Sequence, residues 1–204
     1  IMSAIASPIV TGNNIDLNSE YPVRAYAEQI GGFVGNSYIN NDAQQIYVLG
    51  DFITLDATWE NPGIPYKITG ELFIQGTDGM DGVTTLSLES GAILQFGSQL
   101  GLWVGTNNPA TPGALSAVGT EIDRITFTGE SASPGYWDGI YFYNYADDAL
   151  CELTYCIVEY GGYSSNENIY CYASSPQIAN SEICYASGSG VYCYIDANPI
   201  ITEC

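Results

Sequence analysis

The sequence predicts an all-β chain wound as a solenoid, and three observations predict it. Short runs that alternate β-branched or aromatic residues with polar ones recur along the chain, while helical spacing of apolar residues is hard to find. Tyr and Gly are abundant, 17 and 23 of 204 residues, with 9 Pro, a composition of many short strands and turns. Finally, one strand recurs: Ile140-Tyr141-Phe142-Tyr143, Ile169-Tyr170-Cys171-Tyr172 and Val191-Tyr192-Cys193-Tyr194 stand 29 and then 22 positions apart. Such a period, with turns of variable length, is what stacked coils give.

In chain order, residues 45–49, 66–69, 71–75, 92–96 and 124–128 each read as a strand bounded by Gly, Asn, Asp, Ser or Pro. In the last third a second strand accompanies each copy of the repeat. Ile122, Ile125 and Phe127 align with Leu153, Cys156 and Val158, then with Ile178, Ser181 and Ile183, and finally with Ile201 and Cys204. Neighbouring residues of a strand point to opposite faces. Ile140, Phe142, Ile169, Cys171, Val191 and Cys193 are therefore expected to stack inward. Tyr141, Tyr170 and Tyr192 would form one outer ladder, and Tyr143, Tyr172 and Tyr194 another. Coils of about 22–31 residues follow.

Residues 88–97, 113–120, 125–127, 137–142 and 156–162 carry a resemblance. They are similar to right-handed parallel β-helix domains, pectate-lyase-like in architecture, of large bacterial secreted and surface proteins. The resemblance covers residues 46–204 and implies a right-handed parallel β-helix there. Residues 1–45 match less clearly and are expected to form an N-terminal coil, a cap or a subunit-contact segment. These motifs specify coil geometry rather than chemistry.

Three basic residues against 23 acidic ones give a net charge of −20 and a pI near 4.1, and histidine is absent. Such a surface repels phosphate backbones and anionic headgroups, which argues against nucleic-acid partners. No apolar run is long enough to span a bilayer, which argues against membrane insertion. The six cysteines all lie in the last third, without CxxC spacing. They read as disulfides or buried thiols, and an extracellular or cell-surface location is expected. The start at Ile1, without an initiator Met or a basic leader, fits a processed chain or a fragment.

Catalysis finds little support. A lyase acting on uronates needs cations or bound Ca²⁺, and Arg24, Lys67 and Arg124 are far apart in sequence. A glycosidase needs two carboxylates flanking the bond. Asp138, Asp147, Asp148 and Glu159 could supply them, although Asp147-Asp148 reads as a turn. A histidine-based triad is excluded by composition. The chain is expected not to be an enzyme, with a glycan-binding or glycan-cleaving module as the alternative.

Asp78 and Asp81 share a Gly-rich loop that is either an ordinary turn or a Ca²⁺ site; no other cofactor is expected. Cys171 and Cys193 occupy one column in successive coils and are the disulfide candidate, with two buried thiols as the other reading. Cys156 and Cys204 share another column, with Ser181 between them keeping them too far apart to bridge; Cys151 and Cys184 have no assigned partner. The tyrosine ladders either stabilise the sheet by stacking or offer a sticky face for glycans or neighbouring chains.

The last residues, Pro199 to Cys204, stop midway through a coil strand without a polar cap. Ile1-Met2 supplies the continuation that Cys204 lacks, and Pro8-Ile9-Val10-Thr11 echoes Pro199-Ile200-Ile201-Thr202. Ile1, Met2, Pro8, Ile9, Pro199, Ile201 and Cys204 are thus subunit-contact candidates. Two readings stand: head-to-tail stacking of identical chains into a filament, or coils continued by flanking repeats of a longer chain. Both place the chain in an extracellular fibre, or in the stalk of an adhesin.

Overall fold

A computed structural model describes residues 8–78 and 80–204. The described chain is all-β, with strands of two to six residues and a single 3-10 segment at Ala27–Gly32. Every strand pairing is parallel. A seven-stranded sheet runs from Arg24–Tyr26 through Ile46–Leu49, Tyr66–Ile68, Ile93–Phe96, Ile125–Gly129 and Cys156–Glu159 to Glu182–Cys184. A six-stranded sheet, called here the aromatic sheet, contains Asp51–Ile53, Leu72–Ile74, Gly101–Val104, Gly139–Phe142, Glu167–Tyr172 and Ser189–Tyr194. A third, also six-stranded, contains Ala57–Trp59, Thr84–Leu88, Gly113–Val118, Glu152–Thr154, Gln177–Ala179 and Ile200–Thr202.

From Ile46 onward the chain visits these three sheets in the same order, again and again. Parallel neighbours need a crossover, and here each crossover consists of the strands of the other two sheets. The arrangement is compatible with a parallel β-helix. Short strands suffice because each strand inside the stack buries one face and finds backbone partners in the coils before and after it.

The core is a set of columns. Leu72, Leu102, Ile140, Ile169 and Val191 are successive register partners in the aromatic sheet, as are Ile53, Ile74, Val104, Phe142, Cys171 and Cys193. Ile140, Phe142, Ile169 and Cys171 are fully buried, as the strand repeat predicts. Trp59, Leu88, Ala117, Leu153, Ile178 and Ile201 form the matching column of the third sheet. The expectation fails at Ile122, which is 89% exposed in the turn after Gly113–Val118, while Ala117 holds the place opposite Leu153. A six-residue turn, residues 119–124, separates the two strands, and Ile122 lies within it rather than in the repeated strand.

Residues 8–45 carry a repeat of their own. Val10 and Thr11 pair with Phe33 and Val34, and Arg24 to Tyr26 pair with Tyr47 to Leu49, a constant offset of 23 positions. Asn36 and Asn41 tie this stack together. Asn36 Oδ1 accepts from the Asn13 backbone N–H, and its Nδ2 donates to the Val10 carbonyl. Asn41 repeats both bonds with Asn18 and Ile15. Gly12 and Gly35 occupy the same left-handed turn position, with φ of 67° and 64°. The 3-10 segment packs against Asp51–Ile53 and Ala57–Trp59, and Glu28 accepts from the Thr54 N–H and hydroxyl.

Candidate functional site

The outward face of the aromatic sheet carries the candidate site. Tyr141, Tyr170 and Tyr192 are successive register partners, and Trp103, Phe73 and Phe52 continue the same column. Six aromatic side chains thus stand in line across six coils. Ring centroids are 5.1 Å apart for Phe52–Phe73, 6.2 Å for Phe73–Trp103, 4.0 Å for Trp103–Tyr141, and 5.5 Å for both Tyr141–Tyr170 and Tyr170–Tyr192. Tyr143, Tyr172 and Tyr194 form the second ladder, with spacings of 5.8 Å. Offset aromatic pairs each contribute about 0.5–1.5 kcal/mol beyond area burial, so the ladder braces one coil against the next.

The second ladder stops at Tyr143. Val104 is opposite Phe142, so the residue opposite Tyr143 is Gly105. Gly105 has φ of 65°, and a Cβ there would collide with the Tyr145 and Ala146 backbone. No side chain fits, and the column is interrupted. Beside the interruption lies a cavity of about 410 Å³, walled by Phe73, Trp103 and Tyr143 and rimmed by Gln75, Thr106 and Asn107. A second cavity of about 460 Å³ shares Trp103, Asn107 and Tyr143 and continues towards Tyr170, Tyr172 and Ser165. Together they form a groove on the outer face.

Glu71 brings a carboxylate to the first cavity. Its Oε2 accepts from the Trp103 indole N–H at 2.7 Å and from the Gly101 backbone N–H at 2.8 Å. Both bonds fall on one oxygen, which leaves Oε1 outside them. The carboxylate fixes the indole, and the indole in turn stacks on Tyr141.

Tyr141 points outward yet is only 5% exposed. Trp103 and Tyr170 stack on either side, and its hydroxyl bonds Ser165 Oγ at 2.9 Å. Burial pushes the phenol up to about 12, Asp138 and Glu167 add to the rise, and the Ser165 bond opposes it. Tyr192 and Tyr194 are the open end of the ladders, 41% and 46% exposed.

The other expected site residues fall elsewhere. Asp78 Oδ2 accepts from the Asp56 N–H and Asp81 Oδ1 from the Val83 N–H, so both carboxylates are engaged by the backbone of their own turns and the preceding coil. Among the described residues no group of three or more His, Cys, Asp or Glu stands together as metal ligands. Asp138 Oδ1 accepts from the Ser164 N–H, Asp147 Oδ1 from Ala149 and Leu150, Asp148 Oδ1 from Ser174 and Ser175, and Glu159 Oε1 from Thr128.

The disulfide expected between Cys171 and Cys193 is not formed. The two are register partners, but all six cysteines are free thiols. Identical positions in adjacent parallel strands hold their Cβ atoms about one strand spacing apart, roughly 4.7–4.9 Å. A disulfide wants a Cβ separation of about 3.5–4.5 Å, so the Cα distance alone was a misleading guide. Of the contact candidates, Ile1 and Met2 lie outside the described residues. Pro8 and Ile9 precede the first described strand, with Ile9 88% exposed; Ile201 lies in the last strand, and it and Cys204 are exposed.

Sequence reasoning missed Phe52, Phe73 and Trp103 as ladder members, and Glu71 and Gly105 altogether. The signal available was the alternation in Phe73-Ile74 and Trp103-Val104, an outward aromatic before an inward apolar residue, as in Tyr141-Phe142. In comparisons with known proteins, no family model, no curated protein and no solved structure matches the chain.

Proposed function

We propose that the chain is an extracellular structural element, a length of right-handed, pectate-lyase-like parallel β-helix in a filament, a surface stalk or an adhesin. The observation that carries this reading is the uninterrupted parallel stacking of the three sheets, with apolar columns inside and an aromatic ladder along one outer face. Glu182–Cys184, Ser189–Tyr194 and Ile200–Thr202 are each the outermost strand of their sheet. Positions that are buried in earlier coils lie open there: Cys193 is exposed, and Ile201 is 42% exposed. Three unpaired strand edges around an apolar cross-section form a template for a further coil. A second copy docked head to tail, or a flanking repeat, would pair with these edges, and a heterologous contact between copies propagates as a filament.

The mechanism is mechanical. Backbone ladders and stacked side chains run continuously along the axis, and a net charge of −20 repels filaments laterally. Electron microscopy over a range of concentrations tests the head-to-tail arm. Rods that lengthen with concentration in steps of one subunit are expected, and Ile201→Lys should abolish the lengthening. Single short rods at every concentration would sink self-stacking. Among the described residues no helix is long and apolar enough to cross a membrane.

A further inference from the structure

We infer that the groove at the Gly105 interruption binds a neutral pyranose chain laid along the aromatic sheet. This goes beyond the structural reading and does not depend on it. A ladder of stacked rings is a poor sugar platform, because each ring face is covered by the next ring. Phe73, Trp103 and Tyr141 have a ring neighbour on each side in this way, at interplanar angles of 18–37°. Tyr143 differs. Tyr172 lies against one side at 5.8 Å, tilted by 44°; on the other side the register position is Gly105, which has no side chain, and Trp103 of the neighbouring column stacks there at 5.9 Å and 29°. The space left where Gly105 lacks a side chain belongs to the 410 Å³ cavity, and Tyr143 lines both this cavity and the second one.

A pyranose has apolar C–H faces and a hydroxyl rim, and the site offers the complement of both. Tyr143 and the edges of Phe73 and Trp103 supply apolar surface, while Gln75, Thr106 and Asn107 present amide and hydroxyl groups at the rim. Glu71 stands ready as an acceptor, already oriented by its two bonds on Oε2. A few placed polar groups around a mostly apolar cavity is the usual make-up of a ligand site.

The ligand class follows from what the groove lacks and from its shape. Neither cavity is lined by a cation, one carries a carboxylate, and the chain as a whole is strongly acidic. Uronates, sulfated sugars and phosphorylated ligands are therefore disfavoured. An extended peptide would dock by adding a strand to a sheet edge. Gly101–Val104 is paired on both edges, to Leu72–Ile74 and Gly139–Phe142, so that mode is closed here. Two adjoining cavities, sharing Trp103, Asn107 and Tyr143, suit a chain of linked sugars better than a single one.

Trp103 makes the test direct. Trp59 and Trp137 are fully buried, so a ligand-induced change in tryptophan emission reports on Trp103. The chain is titrated with cellohexaose and xylohexaose, and in parallel with an oligogalacturonate of the same length. The expected result is a saturable emission change with at least one neutral oligosaccharide, and affinity for oligogalacturonate lower by about tenfold or more. Tyr143→Ala should weaken neutral binding by about tenfold. Asn107→Ala, at an exposed turn position, should leave the thermal transition in place and weaken binding by about threefold, as loss of one ordinary hydrogen bond does. The inference is overturned if neither neutral oligosaccharide binds, if oligogalacturonate binds as tightly, or if Asn107→Ala binds as the parent does. Filament formation is read separately, so the two proposals fail independently.

Discussion

Trp103 donates its indole N–H to Glu71 Oε2 at 2.7 Å, tying a residue of one coil to the carboxylate of the coil before it. The same oxygen accepts from the Gly101 N–H, so one carboxylate both orients the indole and satisfies a backbone donor. Hydrogen bonds to a charged acceptor are worth about 1.5–3 kcal/mol each in net terms when partly buried. Glu71→Ala should therefore lower stability by about 2–3 kcal/mol in a denaturant titration. Glu71→Gln keeps one acceptor oxygen and should lose less than half of that. Equal losses for the two variants would show that packing, not the acceptor, is what Glu71 contributes.

Asn168 performs a similar task deeper in the chain. Fully buried, it accepts from the Gly161 N–H at 2.7 Å and donates to the Val158 and Cys184 carbonyls at 3.0 and 2.7 Å. Asn168→Ala leaves three backbone groups without these partners and should cost about 3 kcal/mol or more. Asn168→Asp has the same shape but replaces the donor with an anionic oxygen facing two carbonyls. It should be the more damaging of the two near neutral pH and should recover part of the loss in acid, where the carboxyl regains a donor. Thermal transitions of both variants at two pH values decide the point. An Asp variant as stable as the parent at neutral pH would mean the carbonyl contacts are dispensable.

The inward columns were legible because they obey two periods at once, alternation along a strand and return of the same residue type one coil later. Ile140-Tyr141-Phe142 and Ile169-Tyr170-Cys171 satisfy both, and their register came out as the repeat requires. The upstream ladder was harder to read for two physical reasons. Its members change from Tyr to Trp to Phe, since any flat ring can stack. Its intervals also vary, with Phe73 30 positions before Trp103 and Trp103 38 before Tyr141, because turns between strands accept insertions freely. The Asn13/Asn36 and Asn18/Asn41 pairs escaped notice because that repeat is polar and lies in turns, where no hydrophobic period marks it. The groove was out of reach altogether: it arises from a side chain that is missing, at Gly105, opposite a tyrosine one coil away.

Thiol reactivity should separate the six cysteines into three classes. Cys193 and Cys204 are exposed, Cys184 is half-buried, and Cys151, Cys156 and Cys171 are fully buried. The thiolate is the reactive species. Burial pushes the Cys184 thiol up to about 11, and the three buried thiols up to about 12. With iodoacetamide at mildly alkaline pH, mass spectrometry should find Cys193 and Cys204 alkylated first and Cys184 slowly. The buried three should react only when the chain is unfolded. Early labelling of Cys171 in the folded protein would show that the last coil opens readily, since that coil is what covers it.

Those same thiols set the alkaline limit of stability. In the unfolded chain a thiol titrates near 9.0, whereas Cys151, Cys156 and Cys171 titrate near 12 when folded, chiefly because burial penalises the thiolate. Tyr141 shifts the same way, from 10.0 to about 12, and burial also raises Tyr66. Each group holds its proton longer when folded, so above pH 9 the unfolded state has released protons that the folded state keeps. Stability is then intact below the unfolded values and falls as pH rises towards the folded ones. Denaturant titrations at about pH 8 and about pH 10.5 should differ by about 2 kcal/mol or more, with the chain less stable at the higher pH. Cys171→Ala removes one titrating group and should make that fall shallower, whatever its cost at pH 8. A fall as steep as in the parent would show that the Cys171 thiol ionises equally well in both states, and that its burial is not maintained in solution.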